Sequence, residues 1–196
     1  MRYELLGIDS LYQGFFALNR FRLRFELFSG GFSPDIEREL FERGHAVAVL
    51  PYHAARDEVV LIEQFRPGAL QAPGGPWLLE IVAGMIEPNE SVDAVACREL
   101  QEEAGITPLR LIPITRYWVS PGGTTESIYL FLGLIDDVPG ADLFGLPEEQ
   151  EDIKPHVMRF DEALARVDAG SICSAAPIIA LQWLARHKAQ FQVANF

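Results

Sequence analysis

The chain predicts an α+β protein: a mixed β-sheet with helices packed on its faces. Three observations carry this. Strands, one helix, more strands and two closing helices follow one another in that order. Apolar residues make up 49% and charged residues 22%, the balance of a globular chain. No internal repeat, low-complexity tract or linker interrupts the 196 residues.

The elements can be justified in turn. Residues 20–28, RFRLRFELF, alternate strictly, with Phe21, Leu23, Phe25 and Leu27 on one side and Arg20, Arg22, Arg24 and Glu26 on the other. That is the pattern of a half-buried strand, and SGGFSPD ends it as a turn. IERELFER (36–43) fits a strand or a helix. HAVAVLPY (45–52) and EVVLIEQF (58–65) are strands joined by the turn HAARD, and WLLEIVAG (77–84) is a short strand ending in glycine. PNESVDAVACRELQEEAG has the Pro-Asn start, the helix formers and the glycine stop of a helix. Strands follow over 109–119 and 127–135, then a polar loop, DLFGLPEEQED (142–152), a strand at 156–160, and helices over 161–170 and 175–190. In the last helix Ile178, Ile179, Leu181, Trp183 and Leu184 have helical spacing and predict core packing.

A formal net charge of −12 argues against nucleic-acid binding, because an acidic surface repels phosphate backbones. Fourteen of the sixteen basic residues are arginines, which match phosphate oxygens in a fork geometry but also make ordinary surface pairs. Cys97 and Cys173 offer neither zinc spacing nor a disulfide framework, and His45, His53, His156 and His187 form no cluster. A metal site here must therefore be built from oxygen ligands. No apolar run is long enough to span a bilayer, and MRYELLGIDS lacks the apolar core of an export signal, so the cytoplasm is the expected location.

RELQEEAG (98–105) crowds three glutamates and an arginine into eight positions. Such runs usually mark a solvated helix face. The helical phase says otherwise. Val92, Val95 and Ala96 define an apolar stripe, and steps of three and four carry it to Glu99 and Glu103, with Glu102 on its flank. Buried carboxylates are costly, and like charges four residues apart repel. A hard dication such as Mg²⁺ relieves both problems. Arg98, four residues before Glu102, is placed to pair with it. Gly84 is expected at a strand end, where neighbouring carbonyls can approach a metal or phosphate. Glu90 suits the helix start, through the dipole or as a cap.

Gly84, five residues, Glu90, seven residues and RELQEEAGI (98–106) together resemble the Nudix box, a 23-residue pattern met at Gly84, Glu90, Arg98, Glu99, Leu100, Glu102, Glu103, Gly105 and Ile106. FERGHAVAVLPY, EVVLIEQFR, WLLEIVAGMIE and SPGGTTE are similar to stretches of one branch of that family, the ADP-ribose pyrophosphatases. Pro121, fifteen residues past Ile106, matches a marker of that branch.

The resemblance implies a mixed sheet sandwiched between helices (α/β/α), with an N-terminal antiparallel strand segment. It implies hydrolysis of the pyrophosphate bond of ADP-ribose, a nucleoside diphosphate sugar, to AMP and ribose 5-phosphate with Mg²⁺ or Mn²⁺. The positions that match the metal ligands are Glu99 and Glu103, the carbonyl of Ala83 and, in some members, Glu102. Glu149 in LPEEQED matches the catalytic glutamate, with Glu151 as the alternative. Arg66 matches a phosphate-contacting arginine, and Arg38 and Phe15 match a pair that sandwiches adenine. Read without the resemblance, Phe15 is a core aromatic and Arg38 a surface partner of Glu42. Glu126 is a further candidate for contact with substrate or the metal shell. One departure is Gln13, where relatives often carry an arginine. The resemblance also implies a homodimer with exchanged N-terminal strands, residues 1–44 forming that segment and 45–196 the catalytic domain. Other nucleotide sugars as substrates, a non-catalytic ADP-ribose-binding domain and a purely structural acidic helix remain alternatives.

Overall fold

The computed structural model describes residues 1–140 and 142–192. The chain forms two units, one from Met1–His45 with Tyr117–Ile128, the other from Ala46–Arg116 with the residues from Tyr129 on.

In the first unit, β1 (Tyr3–Gln13), β2 (Ala17–Phe25) and β3 (Ile36–Glu42) form an antiparallel sheet in the order β1-β2-β3. IERELFER is thus a strand. Cross-strand ion pairs join Arg24 to Glu4 (2.6 Å) and Arg22 to Asp9 (3.2 Å). The alternating run is strand only to Phe25; Phe21 and Leu23 are half-buried, as expected, while Phe25 and Leu27 at its end are 40% and 37% exposed. The described residues of this unit include no helix to cover the sheet. SPGG (120–123) and its neighbours lie along the end of β3, where Phe41 N–H donates to Gly123 O and Thr124 Oγ1 to Phe41 O.

The second unit is built on β4 (Ala46–His53), buried along its whole length. β5 (Glu58–Phe65), β6 (Trp77–Glu80), β7 (Val82–Met85), β8 (Arg110–Trp118), β9 (Ser127–Leu134) and β10 (Lys154–Arg159) complete a mixed sheet in the order β10-β5-β4-β9-β8, with β6 beside β5 and β7 beside β4. WLLEIVAG is not one strand. It breaks at the buried Ile81, where the chain changes partner from β5 to β4.

Alternation along β4 and β5 sends Val47, Val49, Val60 and Ile62 to one face. There they pack with Val82 and with Val95, Ala96, Leu100 and Ala104 of α1 (Val92–Ala104). α2 (Phe160–Asp168) and α3 (Ala175–His187) pack together and against β4, β5 and β10, burying Ala163, Ala180, Leu181 and Leu184, and α4 (Ala189–Gln192) follows. The α/β/α arrangement is therefore present. Ile178, Ile179 and Trp183 are only half-buried. No helix of the described residues is long and apolar enough to cross a membrane.

Candidate active site

The site grows from the ends of α1. Ser91 caps the helix, its Oγ accepting from Ala94 N–H at 3.3 Å, so the helix starts at Val92 and not at the preceding Pro-Asn turn. Gly105, at φ 64°, ends it, with the Gly105 and Ile106 amides returned to Gln101 and Leu100. Between these caps the inward line is Val95, Ala96, Glu99, Leu100, Glu103 and Ala104, all buried. The two carboxylates thus share the core-facing stripe, and they lie on the side of β7.

Arg98 ties the surroundings together. Its Nη1 donates to Glu99 Oε1 (2.8 Å) and Glu102 Oε2 (3.0 Å), and its Nε and Nη2 reach Glu90 (both 3.2 Å). Its Nη2 also approaches Met85 O at 3.4 Å. Glu90 lies one residue before the cap and serves as a brace for Arg98, whose hydrogen bonds hold its carboxyl below the usual range. Glu103 Oε2 accepts from Ala83 N–H at 2.9 Å.

Burial pushes the Glu99 carboxyl up to about 7, against the pull of Arg98 and with the help of Glu102 and Glu151. Burial pushes Glu103 up to about 8, opposed by the Ala83 amide and reinforced by Glu99 and Glu151. Gly84 does not turn the chain. It sits inside β7 opposite Val47, and a Cβ there would fall 1.6 Å from Glu99 Oε1. Its glycine is a matter of space, not of dihedral freedom.

The loop beyond residue 141 docks on the end of α1. Phe144 and Ile153 exchange two backbone hydrogen bonds, Gly145 N–H donates to Glu102 O, and the Phe144 ring covers Gly105. A short 3₁₀ turn, Pro147–Glu149, and Gln150 at φ 58° follow. Glu151 is half-buried, accepts from Leu146 N–H, and acts electrostatically on both Glu99 and Glu103. Glu149 is exposed.

Gln64, Phe65, Arg66, Trp77 and residues 149–152 line a cleft of about 240 Å³. Arg66 is anchored there, its Nε on Glu80 Oε2 at 2.6 Å, and its charge reaches Glu103. Sequence reasoning missed Glu80, although a carboxylate inside the apolar run WLLEIV was a usable signal. It also missed Gln64, a buried amide at the end of an apolar strand.

The remaining candidates belong to the first unit. Phe15 is 88% exposed at the β1–β2 turn, its ring edge-on to Phe16, so it is no core aromatic. Arg38 lies opposite Phe21 and donates to the Glu37 carbonyl; its hydrogen bond goes there and not to Glu42, whose Oε2 accepts from Thr125. Glu126 is buried, with Arg43 Nε at 3.3 Å.

The donor set suits a hard dication. Glu90, Glu99 and Glu102 gather around one guanidinium, and Glu103 lies one turn along from Glu99 on the Ala83 amide, leaving an excess of carboxylate beside a backbone strand. Among the described residues, no three acidic, histidine or cysteine side chains already converge as a cage. Glu99 and Glu102 lean on Arg98, and Glu103 leans on Ala83.

Carboxylates fit to hold a dication, beside a cleft with an anchored arginine, suit metal-assisted chemistry on an anionic substrate. The chain belongs to the Nudix hydrolase family: the NUDIX domain model matches residues 42–175. It is 47% identical over 184 residues to the ADP-ribose pyrophosphatase of Escherichia coli (strain K12), covering 94% of this chain and 88% of the relative. The ADP-ribose pyrophosphatase of Haemophilus influenzae is 44% identical over 192 residues, 96% of this chain and 88% of the relative. The GDP-mannose pyrophosphatase of Cronobacter sakazakii is 37% identical over 150 residues, 76% and 77% of the two chains. Hydrolases of this family generally use a divalent metal.

Proposed function

We propose that this Nudix hydrolase cleaves the pyrophosphate bond of ADP-ribose to AMP and ribose 5-phosphate, using Mg²⁺, with Mn²⁺ able to replace it. The observation that carries the reading is the buried Glu99–Glu103 pair, short of neutralising charge, next to a cleft that presents Arg66. Relatives 44–47% identical to this chain over most of its length bear the name ADP-ribose pyrophosphatase.

Glu99, Glu103 and the Ala83 carbonyl would hold the ion, with Glu102 as a further ligand. When bound, it neutralises diphosphate charge and acidifies a water. Arg66, kept in place by Glu80, binds a phosphate oxygen. In the reaction a water oxygen forms a new bond to phosphorus, and the bridging P–O bond breaks on the other side. A glutamate of the 147–152 segment takes the water's proton. Glu149 is assigned this role, with Glu151 the alternative. Phe15 and Arg38 stack on the adenine, as an exposed ring and guanidinium can. Glu126 contacts the substrate or the metal shell.

The protein acts as a cytoplasmic homodimer in which residues 1–44 are exchanged and 45–196 carry catalysis. Supporting this, β1 is an edge strand that leaves Tyr3, Leu5, Leu6, Ile8, Leu11 and Tyr12 exposed, an apolar array that invites a second copy. Sedimentation of the purified protein tests the dimer.

The decisive assay is AMP release from ADP-ribose with and without Mg²⁺. Rapid release that EDTA abolishes supports the proposal. Hydrolysis of GDP-mannose in preference to ADP-ribose would move the substrate to the second reading, which the less similar GDP-mannose pyrophosphatases, 37% and 33% identical, support only weakly. Tight binding without turnover would make it a sensor domain.

A further inference from the structure

The mechanism above leaves Gln64, a buried polar residue in the cleft wall, without work. Gln64 is only 5% exposed, and its Nε2 is buried with no hydrogen-bond partner. Unpaired buried amides are uncommon in folded proteins, and an apolar residue of the same size would remove the cost. Gln64 lines the cleft together with Arg66 and the 149–152 segment. It also shares a strand face with its neighbours at two-residue spacing: Val60 and Ile62 point into the α1 core, so Gln64 and then Arg66 continue that line to its open end.

Resting on the diphosphate reading above, we infer that Gln64 is a substrate-binding residue, whose side-chain amide donates to an oxygen of the bound diphosphate beside Arg66. The terminal amide torsion of glutamine is soft and broadly populated, so a rotation carries the NH₂ toward the cleft while the strand stays fixed. An amide is the suitable neutral donor here. It gives a hydrogen bond to an acceptor-only anion without adding a second cation that would bind Glu149 or Glu151 across the cleft. The unsatisfied state of the free protein is then the state poised for ligand.

The test is Gln64→Met, which keeps length and volume and deletes the amide. Three readouts are needed: the Tm of the free protein, the affinity for the non-hydrolysable α,β-methylene analogue of ADP-ribose by calorimetry, and kcat against KM for ADP-ribose. The inference expects a Tm equal to or above that of the wild type. It expects affinity for the analogue to fall roughly 10-fold or more, the scale of one hydrogen bond to a charged group, with the loss in KM more than in kcat. A lowered Tm shows that the amide has an internal structural partner and overturns the assignment, as does unchanged affinity. Inorganic pyrophosphate is the second probe. If the wild type binds pyrophosphate but neither binds nor hydrolyses ADP-ribose, the substrate reading fails, and Gln64→Met is then judged on pyrophosphate by the same criteria. A wild type that binds neither probe overturns both.

Discussion

The Glu99 carboxylate occupies the space that a side chain on Gly84 would need: a Cβ there would lie 1.6 Å from Oε1 and 1.9 Å from Cδ. Gly84 is opposite Val47 in a regular strand pair, so an alanine fits the backbone, and the nearest atoms it meets are all of the Glu99 side chain. Gly84→Ala should therefore leave the sheet intact and displace one carboxylate. The expected loss is roughly 10- to 100-fold in divalent-metal affinity and in turnover, the usual scale for disturbing a ligand's support. Metal titration of the folded variant checks it; wild-type affinity would mean that Glu99 holds no ion.

Glu103→Gln preserves an acceptor for Ala83 N–H, which now donates to Glu103 Oε2 at 2.9 Å, and removes the charge. The variant should fold, and its turnover should drop by orders of magnitude with loss of the metal. Glu99→Gln should do the same. Near-normal rates in both would remove the metal assignment. Equal Mn²⁺ affinity in wild type and Glu103→Gln would favour an acidic helix that is only structural.

The same two residues predict an unusual pH dependence. Burial raises the folded carboxyls to about 7 for Glu99 and about 8 for Glu103, from an ordinary value of 4.5. A raised acid binds its proton more tightly when folded. The stability it contributes is complete below the unfolded pKa and is lost as pH rises through the folded one. Metal-free protein should thus melt higher near pH 5 than near pH 8, by about 5 °C or more. Added Mg²⁺ should recover the loss at pH 8, where both carboxylates are free to bind it. Glu103→Gln should flatten the metal-free profile. A metal-free Tm that climbs from pH 5 to pH 8 would contradict the burial argument.

The inward turn of Glu99 and Glu103 was legible because helical phase depends only on spacing, and Val95, Ala96 and Leu100 fix the phase. The pairing of Arg98 with Glu102 followed from the same geometry. What the sequence did not reveal is what tertiary partners decide. WLLEIVAG looks continuous because both of its halves are apolar, yet they pair with different strands. Gly84 has the appearance of a stop signal, because nothing local shows that a side chain 15 positions later will lie against it. RFRLRFELF alternates to its end, yet the strand stops at Phe25: Phe21 and Leu23 are half-buried, and Leu27 beyond it is exposed. Glu80 was hidden for a related reason, since its partner Arg66 precedes it by a whole loop.

That partnership makes Glu80 a positioning residue for Arg66. The bond is charge-assisted, at 2.6 Å, and Glu80 is mostly buried while the Arg66 side chain is 40% exposed. Glu80→Gln weakens the restraint without removing the guanidinium. KM for ADP-ribose should rise about 10-fold, with kcat much less affected, in line with the worth of a hydrogen bond to a charged group. Arg66→Ala should raise KM further. If Glu80→Gln lowers kcat and leaves KM alone, Glu80 acts in the chemistry and not through Arg66.

The loop glutamates can be separated by their different surroundings. Glu151 is tied into the fold: it accepts from Leu146 N–H, its Cβ lies 2.7 Å from where a side chain on Gly145 would begin, and its charge raises both Glu99 and Glu103. Glu149 is exposed at the end of the 3₁₀ turn, before the left-handed Gln150. A base must reach a water on the substrate, and the carboxylate not already engaged in the fold has that freedom. Glu149→Gln should lower kcat by about 10²- to 10⁴-fold, the usual range for a general base, and spare KM. Glu151→Gln should lower kcat less. It should instead draw the Glu99 and Glu103 titrations downward, because it removes a negative neighbour from both. NMR of the metal-free glutamate carboxyls would follow those titrations, and steady-state kinetics the rates. If the larger kcat loss falls on Glu151, the base is Glu151, and its electrostatic link to the paired helix carboxylates is the reason.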